Sequence, residues 1–147
     1  LITAIDAWVV RKAIALIAMH SQAGRKLVLH VNLSGKSICD PKFVGIVEEA
    51  LAEGRIDPAC LVLEMTETAV RANLEQARVF ADRLRKRGCL LALDDFGAGF
   101  ASFFYLKDFP FDYLKIDGEF IRDIGANPVN AVRTAASLLR EFWQSLH

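Results

Sequence analysis

Side chains that can bind a cation or move a proton recur at the ends of four apolar stretches. The groups that end these stretches are Asn32, Glu64, the pair Asp94 and Asp95, and Lys115 with Asp117. Amide and carboxylate oxygens are hard ligands that suit Mg²⁺ or Mn²⁺ and disfavour zinc. Carboxylates packed together repel one another unless cations neutralise them. The residue types therefore predict a divalent-cation site, provided that the fold brings the four stretches together.

Lys115 adds a second kind of chemistry to this set. An ammonium among carboxylates can orient or deprotonate a water, or it can neutralise a phosphate. Asp94 and Asp95 are adjacent, so a regular strand cannot point both of them inward. We expect one of them to bridge two ions and the other to bind from the following loop. The combination suggests metal-assisted hydrolysis of a phosphoester.

Each of these features also has a plainer explanation. An Asp-Asp pair before Phe-Gly is most often a turn with a side-chain hydrogen bond, and Glu64 alone could be an ion-paired or helix-capping carboxylate. Asp95 to Gly97 spells the Asp-Phe-Gly of protein kinases, but no Gly-rich phosphate loop or His-Arg-Asp segment accompanies it, which argues against a kinase. Four coincidences at successive strand ends favour a site.

The stretches that carry these residues alternate with helical patterns. Strands are predicted over residues 27–33, 60–65, 89–94 and 113–116, and helices over 5–19, 41–52, 74–86 and 130–145, the last after a turn at Asn127-Pro128. Asp40 and Asn73 are predicted N-caps, and Gly24 and Gly88 are predicted helix ends. Alternation of strands and helices predicts an α/β fold with a parallel sheet, open or barrel-like, whose strand ends meet at one rim.

Composition sets the broad class. With 147 residues, 53% apolar content and 18 basic against 18 acidic side chains, the chain can form one domain with its own core. The zero net charge argues against a DNA-binding surface. No apolar run approaches the roughly 18 residues that cross a bilayer. We therefore expect a cytoplasmic protein that binds no DNA and inserts into no membrane, and the start at Leu1 suggests a piece of a longer chain.

The cysteines and histidines are scattered. Cys39, Cys60 and Cys89 form no C-x-x-C pair, so we expect three buried thiols in a reducing compartment. His30 lies inside an apolar stretch, where we expect a core histidine rather than a catalytic one.

Four ordered segments resemble the motifs of the EAL-domain family, whose members are cyclic di-GMP phosphodiesterases on a modified TIM barrel. The segments are Val31–Ser34, Leu63–Thr68, Ala92–Ser102 and Asp112–Gly118. The resemblance runs from about Ile5 to Leu138; each motif alone is weak, but four in order are specific. It implies an α/β fold that is a partial TIM-like (β/α) barrel, with about four parallel strands and covering helices. Residues 1–147 would then be a single partial EAL domain.

The resemblance also implies metal ligands. Asn32, Glu64 and Asp94 correspond to family ligands, with Asp94 bridging two Mg²⁺ or Mn²⁺ ions and Asp95 serving the second ion. Lys115 corresponds to the catalytic lysine that contacts the attacking water.

A loop and its supports complete the implied site. Glu67 resembles the glutamate that steadies a mobile loop in the family. That loop corresponds here to Phe96–Ser102, and the resemblance assigns Phe96, Gly97 and Ser102 to the site. In the family this loop couples the site to dimerisation. Asp117 is expected to help order the rim.

The resemblance leaves the function open between two classes. The family's first strand, which carries the Glu-Ala-Leu glutamate, and its later strands have no counterpart here, so we expect negligible hydrolysis by this chain alone. The alternative is a non-catalytic EAL-like module that binds nucleotide or protein partners, or that dimerises, in cyclic di-GMP signalling.

The implied partners are cyclic di-GMP, a second copy of the chain, and sensory or GGDEF domains in a longer parent chain. The stretch from Phe96 to Phe111 holds six of the ten phenylalanines, and we expect it to contribute either to self-association or to ordinary core packing.

Overall fold

The computed structural model describes residues 1–96 and 109–118. The predicted helix over residues 130–145, the turn at Asn127-Pro128, and most of the Phe-rich stretch lie outside the described residues. Gly97 and Ser102 also lie outside them.

Strands and helices alternate along the described chain, as the sequence predicts. The elements are α1 (Ile2–Gln22), β1 (Leu29–Leu33), α2 (Gly35–Ile38), α3 (Pro41–Gly54), β2 (Leu61–Thr66), α4 (Glu67–Ala72), α5 (Leu74–Lys86), β3 (Leu90–Phe96) and β4 (Tyr113–Ile116). A single 3₁₀ turn, Pro58–Cys60, precedes β2. The four strands form one parallel sheet in the order β1-β2-β3-β4, which confirms the predicted α/β architecture.

The two faces of the sheet have different surroundings. The outer face carries side chains such as Leu63 and Leu93, which are fully buried in a core shared with α1, α3 and α5. Phe43 of α3 and Phe80 of α5 stack within this core, with ring centroids 6.1 Å apart. The inner face carries the polar side chains, because strand residues alternate between faces.

The inner face is concave. The ring of His30 on β1 lies 5.7 Å from the ring of Tyr113 on β4, although these are the two outermost strands of the sheet. A flat sheet would separate those strands by roughly 14 Å, three strand spacings. Lys115 on β4 likewise reaches Glu64 on β2 across the intervening strand. The described sheet is therefore curved like a segment of a barrel.

Helix ends follow the predicted chemistry with one exception. The Asp40 side chain accepts a hydrogen bond from Lys42 N at 2.9 Å, and Gly24 and Gly88 have the positive φ of a helix terminus. Asn73 is the N-cap residue of α5, as predicted, but its side chain makes no cap hydrogen bond. The same residue ends α4.

Two short helices were not predicted. Both α2 and α4 begin directly after a strand, and each is capped by a hydroxyl, from Ser34 and Thr66, that accepts from the amide three residues later. Helices of four and six residues are too short for an apolar periodicity to reveal them.

The cysteine prediction is confirmed for two of the three residues. Cys60 and Cys89 are buried, and burial raises the pKa of the Cys89 thiol to about 12, so this thiol stays protonated near neutral pH. Cys39 is partly exposed because it ends the short α2 at the surface, so the expectation that it is buried is wrong.

No helix in the described part of the chain is both long and apolar enough to cross a membrane.

Glu48 joins two of the covering helices. Its carboxylate on α3 accepts hydrogen bonds from Arg83 on α5, at 2.6 Å, and from Arg87, which ends that helix, at 3.3 Å. The hydrogen bond from Arg83 holds the pKa of Glu48 below its ordinary value, with Arg87 acting in the same direction, although desolvation opposes both. These ion pairs of Glu48 with Arg83 and Arg87 lie near the surface, so their contribution to the free energy of unfolding is modest.

We expect Glu48→Gln to lower the free energy of unfolding by about 0.5–1 kcal/mol near neutral pH. The folded state depresses the pKa of Glu48, so the stabilisation is present above the ordinary pKa and is lost as the pH falls through the depressed value. Urea denaturation of both proteins at neutral and acidic pH measures the difference, which should shrink in acid. Glu49→Gln, on the exposed side of α3, is the matched control. An equal effect of both variants would contradict the prediction.

Candidate active site

The predicted site residues meet at the carboxyl ends of adjacent strands. Asn32 and Glu64 are direct partners in the β1–β2 ladder, so they project from the same face. Asp94 pairs with Thr66, two residues beyond Glu64, and therefore shares that face. Parallel strands place these ends at one edge of the sheet, where barrel proteins build their active sites.

Lys115 lies between two of the carboxylates. Its Nζ donates to Glu64 Oε2 at 2.8 Å and is 3.2 Å from Asp94 Oδ2. The hydrogen bond to Glu64 raises the pKa of Lys115, the contact with Asp94 adds to this, and desolvation opposes it. Lys115 therefore remains a cation at physiological pH and neutralises part of the charge of this pair.

His30 is also part of this cluster, which the sequence did not predict. Its Nδ1 is 2.6 Å from Glu64 Oε1, and its side chain is 43% exposed. The expectation of a core histidine is wrong, because strand alternation places His30 on the inner face, together with Asn32, where none of the described helices covers it. The sequence did contain a signal: His30 lies two residues before Asn32, and strand alternation puts both side chains on the same face.

Asp94 and Asp95 form a bulge in β3. Leu93 pairs with Leu114 and Phe96 with Ile116, so two residues of β3 lie opposite Lys115 alone. Asp95 has φ +55°, a left-handed conformation that aspartate tolerates better than most residues. The expectation that the second aspartate lies in the following loop is wrong, because Asp95 lies within β3. The bulge adds one residue there, so the regular alternation of faces does not apply to this pair.

The remaining predicted residues lie around this rim. Glu67, the first residue of α4, is buried, with its Oε1 3.6 Å from Arg71 Nη1. Asp117 follows β4, and its backbone N–H donates to Phe96 O at 3.1 Å, which joins the ends of β3 and β4. Phe96 is fully buried against the outer core.

Asp6 on α1 contacts the chain just after β1, at the rim, and the sequence did not predict this role. This buried carboxylate on α1 accepts from Ser34 N at 2.9 Å and from Ser37 Oγ at 2.6 Å. Ser34 lies two residues after Asn32, so the contact fixes the chain where β1 ends. From the sequence, Asp6 could be recognised only as an acidic residue near a helix start. Its hydrogen-bond partners are about 30 positions away, so no local pattern indicates them.

The donor set fits a hard divalent cation in its chemistry. Glu64 and Asp94 supply carboxylate oxygens, Asn32 adds an amide oxygen beside Glu64, and the structure already stabilises one positive charge, that of Lys115, between the two carboxylates. Within the described residues, no three His, Cys, Asp or Glu side chains form a cluster that could hold a metal ion. The cluster that the described residues form consists of the carboxylates of Glu64 and Asp94, His30 and Lys115, with Asn32 beside Glu64 in the ladder.

A concave parallel sheet with covering helices and polar groups at its carboxyl rim is typical of proteins of the (β/α)-barrel class. A family model described as the EAL domain matches residues 1–144. The chain therefore belongs to the EAL-domain family, and the resemblance noted in the sequence is confirmed.

Relatives and solved structures agree with this assignment. The cyclic di-GMP phosphodiesterase PdeF of Escherichia coli K12 is 36% identical over 128 residues, which cover 87% of this chain and 17% of PdeF. The cyclic di-GMP phosphodiesterase PdeB of Shewanella oneidensis is 37% identical over 123 residues, or 84% of this chain and 14% of PdeB.

The FimX EAL domain of Pseudomonas aeruginosa bound to c-di-GMP has a TM-score of 0.83 at 28% identity, covering 96% of this chain and 56% of that one. The PaMucR phosphodiesterase in its c-di-GMP complex has a TM-score of 0.80 at 30% identity, and the match covers 90% of this chain and 54% of that one. The chain thus spans about half of these solved EAL chains and less than a fifth of the two curated relatives.

We expect Asp6→Ala to lower the free energy of unfolding by about 2–3 kcal/mol, because it leaves the Ser34 amide and the Ser37 hydroxyl without their buried acceptor. Asp40→Ala, which removes a cap on exposed backbone, should cost only about 1 kcal/mol and serves as the control. Urea denaturation measures both. Equal losses in the two variants would show that the buried hydrogen bonds of Asp6 contribute no more than an exposed cap.

Proposed function

We propose that this chain forms part of the active site of a cyclic di-GMP phosphodiesterase, which hydrolyses cyclic di-GMP to linear pGpG. The observation that carries the proposal is the contact of Lys115 with both Glu64 and Asp94 at the rim of a barrel-like sheet. The named activity of PdeF and PdeB and the c-di-GMP bound by the FimX EAL domain support the choice of substrate. In this proposal residues 1–147 are a single partial EAL domain.

Asn32, Glu64, Asp94 and Asp95 are the proposed ligands of two Mg²⁺ or Mn²⁺ ions. EAL phosphodiesterases are metal-dependent enzymes, and such ions neutralise the phosphodiester and lower the pKa of the attacking water. The contact of Asp94 with Lys115 supports the place of Asp94 in this set, and Asp95 is included because it follows Asp94 directly in the bulge of β3. Asn32 beside Glu64 supplies a neutral oxygen that adds no repulsion.

Lys115 is the proposed catalytic lysine. Its ammonium, held between Glu64 and Asp94, orients the water that attacks phosphorus and stabilises the negative charge that develops on the phosphate oxygens. The water oxygen forms the new bond to phosphorus, the bond from phosphorus to the ribose 3′ oxygen breaks, and the 3′ oxygen leaves as a hydroxyl. The ammonium donates to Glu64 and lies 3.2 Å from Asp94, and a donor held in this way suits a charge-stabilising role.

Other residues are proposed to position this machinery. Glu67, buried at the start of α4, is the proposed support of the loop from Phe96 to Ser102, and Asp117 helps order the rim through its backbone contact with Phe96. We propose a second copy of the chain as a partner, because all four side chains of β4 are exposed in the described structure. Sensory or GGDEF domains in a longer parent chain and a cytoplasmic location complete the proposal.

We expect the 147-residue chain to bind Mn²⁺ and Asp94→Asn to weaken this binding at least tenfold, because the substitution removes a charged ligand while keeping the shape of the side chain. Isothermal titration calorimetry measures both affinities. Asp82→Asn, on the exposed face of α5, is the matched control and should bind like wild type. Indistinguishable titrations of wild type and Asp94→Asn would refute the proposed ligand set.

Hydrolysis is tested in a chimaera in which residues 1–144 replace the matching part of the PaMucR phosphodiesterase domain. We expect the chimaera to release pGpG in the presence of Mn²⁺, and Lys115→Ala or Glu64→Ala to reduce turnover by about 100-fold or more. Chromatography of the nucleotide products measures turnover, and Lys42→Ala, an exposed lysine on α3, is the control.

Each variant's melting temperature and its binding of cyclic di-GMP must first match those of the unmodified chimaera. A folded chimaera that binds cyclic di-GMP without hydrolysing it would favour the alternative, a nucleotide-binding module.

A further inference from the structure

We infer that His30 is a positioning residue that orients the Glu64 carboxylate for cation binding. The inference rests on the proposed function, since it concerns the same site. It starts from the 2.6 Å contact between His30 Nδ1 and Glu64 Oε1, one of the shortest side-chain hydrogen bonds in the described structure.

The chemistry of the two groups fixes the direction of this hydrogen bond. An ionised carboxylate can only accept, so Nδ1 of His30 must carry the proton and donate it. In the neutral ring this leaves Nε2 as the unprotonated nitrogen. In a neutral ring the contact therefore requires the Nδ1-protonated tautomer.

The two oxygens of Glu64 have different partners. Oε1 accepts from His30 and Oε2 accepts from Lys115, whose Nζ also lies 3.2 Å from Asp94 Oδ2. Oε2 is thus the oxygen directed towards the other acidic group of the site. His30 holds the carboxylate by its opposite oxygen, so Glu64 has a second partner besides Lys115, whose ammonium is shared by two carboxylates.

Glu64 needs such a support because of where it lies. Its side chain is only 3% exposed, and a buried carboxylate with a free rotation about its last bond would present its oxygens in several directions. Tyr113, with its ring 5.7 Å from that of His30, limits the space in which the imidazole can turn. Outer partners of this kind fix the orientation of metal-binding side chains, and their loss typically weakens metal binding by about 10–100-fold.

The first test compares His30→Leu and His30→Gln by calorimetric titration of the 147-residue chain with Mn²⁺ alone. We expect His30→Leu to weaken binding by about 10–100-fold. His30→Gln keeps an N–H donor of similar reach and should restore affinity to within a few-fold of wild type. His20→Leu, in the last turn of α1 at the opposite end of the sheet from the rim, is the matched control.

Three outcomes of this titration would overturn the inference. One is wild-type affinity in His30→Leu. Another is an equal loss in His30→Leu and His30→Gln at unchanged melting temperature, because that result would make His30 itself a ligand. A wild-type chain that binds no Mn²⁺ would overturn both this inference and the proposed function, whereas normal binding that depends on Asp94 but not on His30 overturns the inference alone.

The second test needs no metal and keeps the inference falsifiable if His30→Leu fails to fold. Nitrogen-15 NMR of the imidazole in wild type should show His30 in the Nδ1-protonated tautomer, with a slowly exchanging Hδ1 that is lost in Glu64→Ala. An Nε2-protonated tautomer for His30 would contradict the inferred hydrogen bond.

Discussion

The burial of the Glu64 carboxylate is the constraint on which the arrangement of the inner face depends. A carboxylate at 3% exposure is costly unless charge and hydrogen bonds compensate for the lost water. The compensation comes from His30 on β1 and Lys115 on β4, one on each side of the strand that carries Glu64. His30 reaches Glu64 from the adjacent strand, whereas Lys115 reaches it across β3. The buried charge of Glu64 is therefore compensated from both sides of β2.

The outer face of the sheet contributes the apolar core, and the inner face carries the polar side chains of the candidate site. On the outer face, Leu61, Leu63 and Leu93 are fully buried against the helices, and this apolar contact supplies most of the driving force for folding. That core leaves the inner face free to carry groups that would destabilise a protein interior. The covering helices are joined at their surface by Glu48 and its two arginines, and at the rim by Asp6, which ties α1 to the end of β1. A rigid outer layer thus positions the polar inner one.

The sequence predicted the parts of this fold that depend on local signals. Apolar runs with polar ends gave the four strands, and Asp40 and Gly88 marked a helix start and a helix end because capping depends on neighbouring residues. The role of Asp6 was not predictable, because Asp6 lies on a helix and its partners are Ser34 and Ser37, about 30 residues away. His30 was missed because its apolar neighbours suggested a core position, although it lies two residues before Asn32. The grouping of Glu64, Asp94 and Lys115 was predictable because the parallel topology converts a repeated pattern into spatial proximity.

The bulge in β3 shows why a strict alternation rule fails where the chemistry lies. In a regular strand Asp94 and Asp95 would point to opposite faces, and Phe96 would follow Asp94 onto the inner face. The extra residue opposite Lys115 shifts the register by one, so Phe96 returns to the buried outer core while Asp94 stays in contact with Lys115. The shift requires a left-handed backbone at Asp95, a conformation that costs free energy at any residue except glycine. Aspartate adopts this conformation more readily than most residues other than glycine, so the residue type at position 95 is compatible with the bulge that interrupts the alternation.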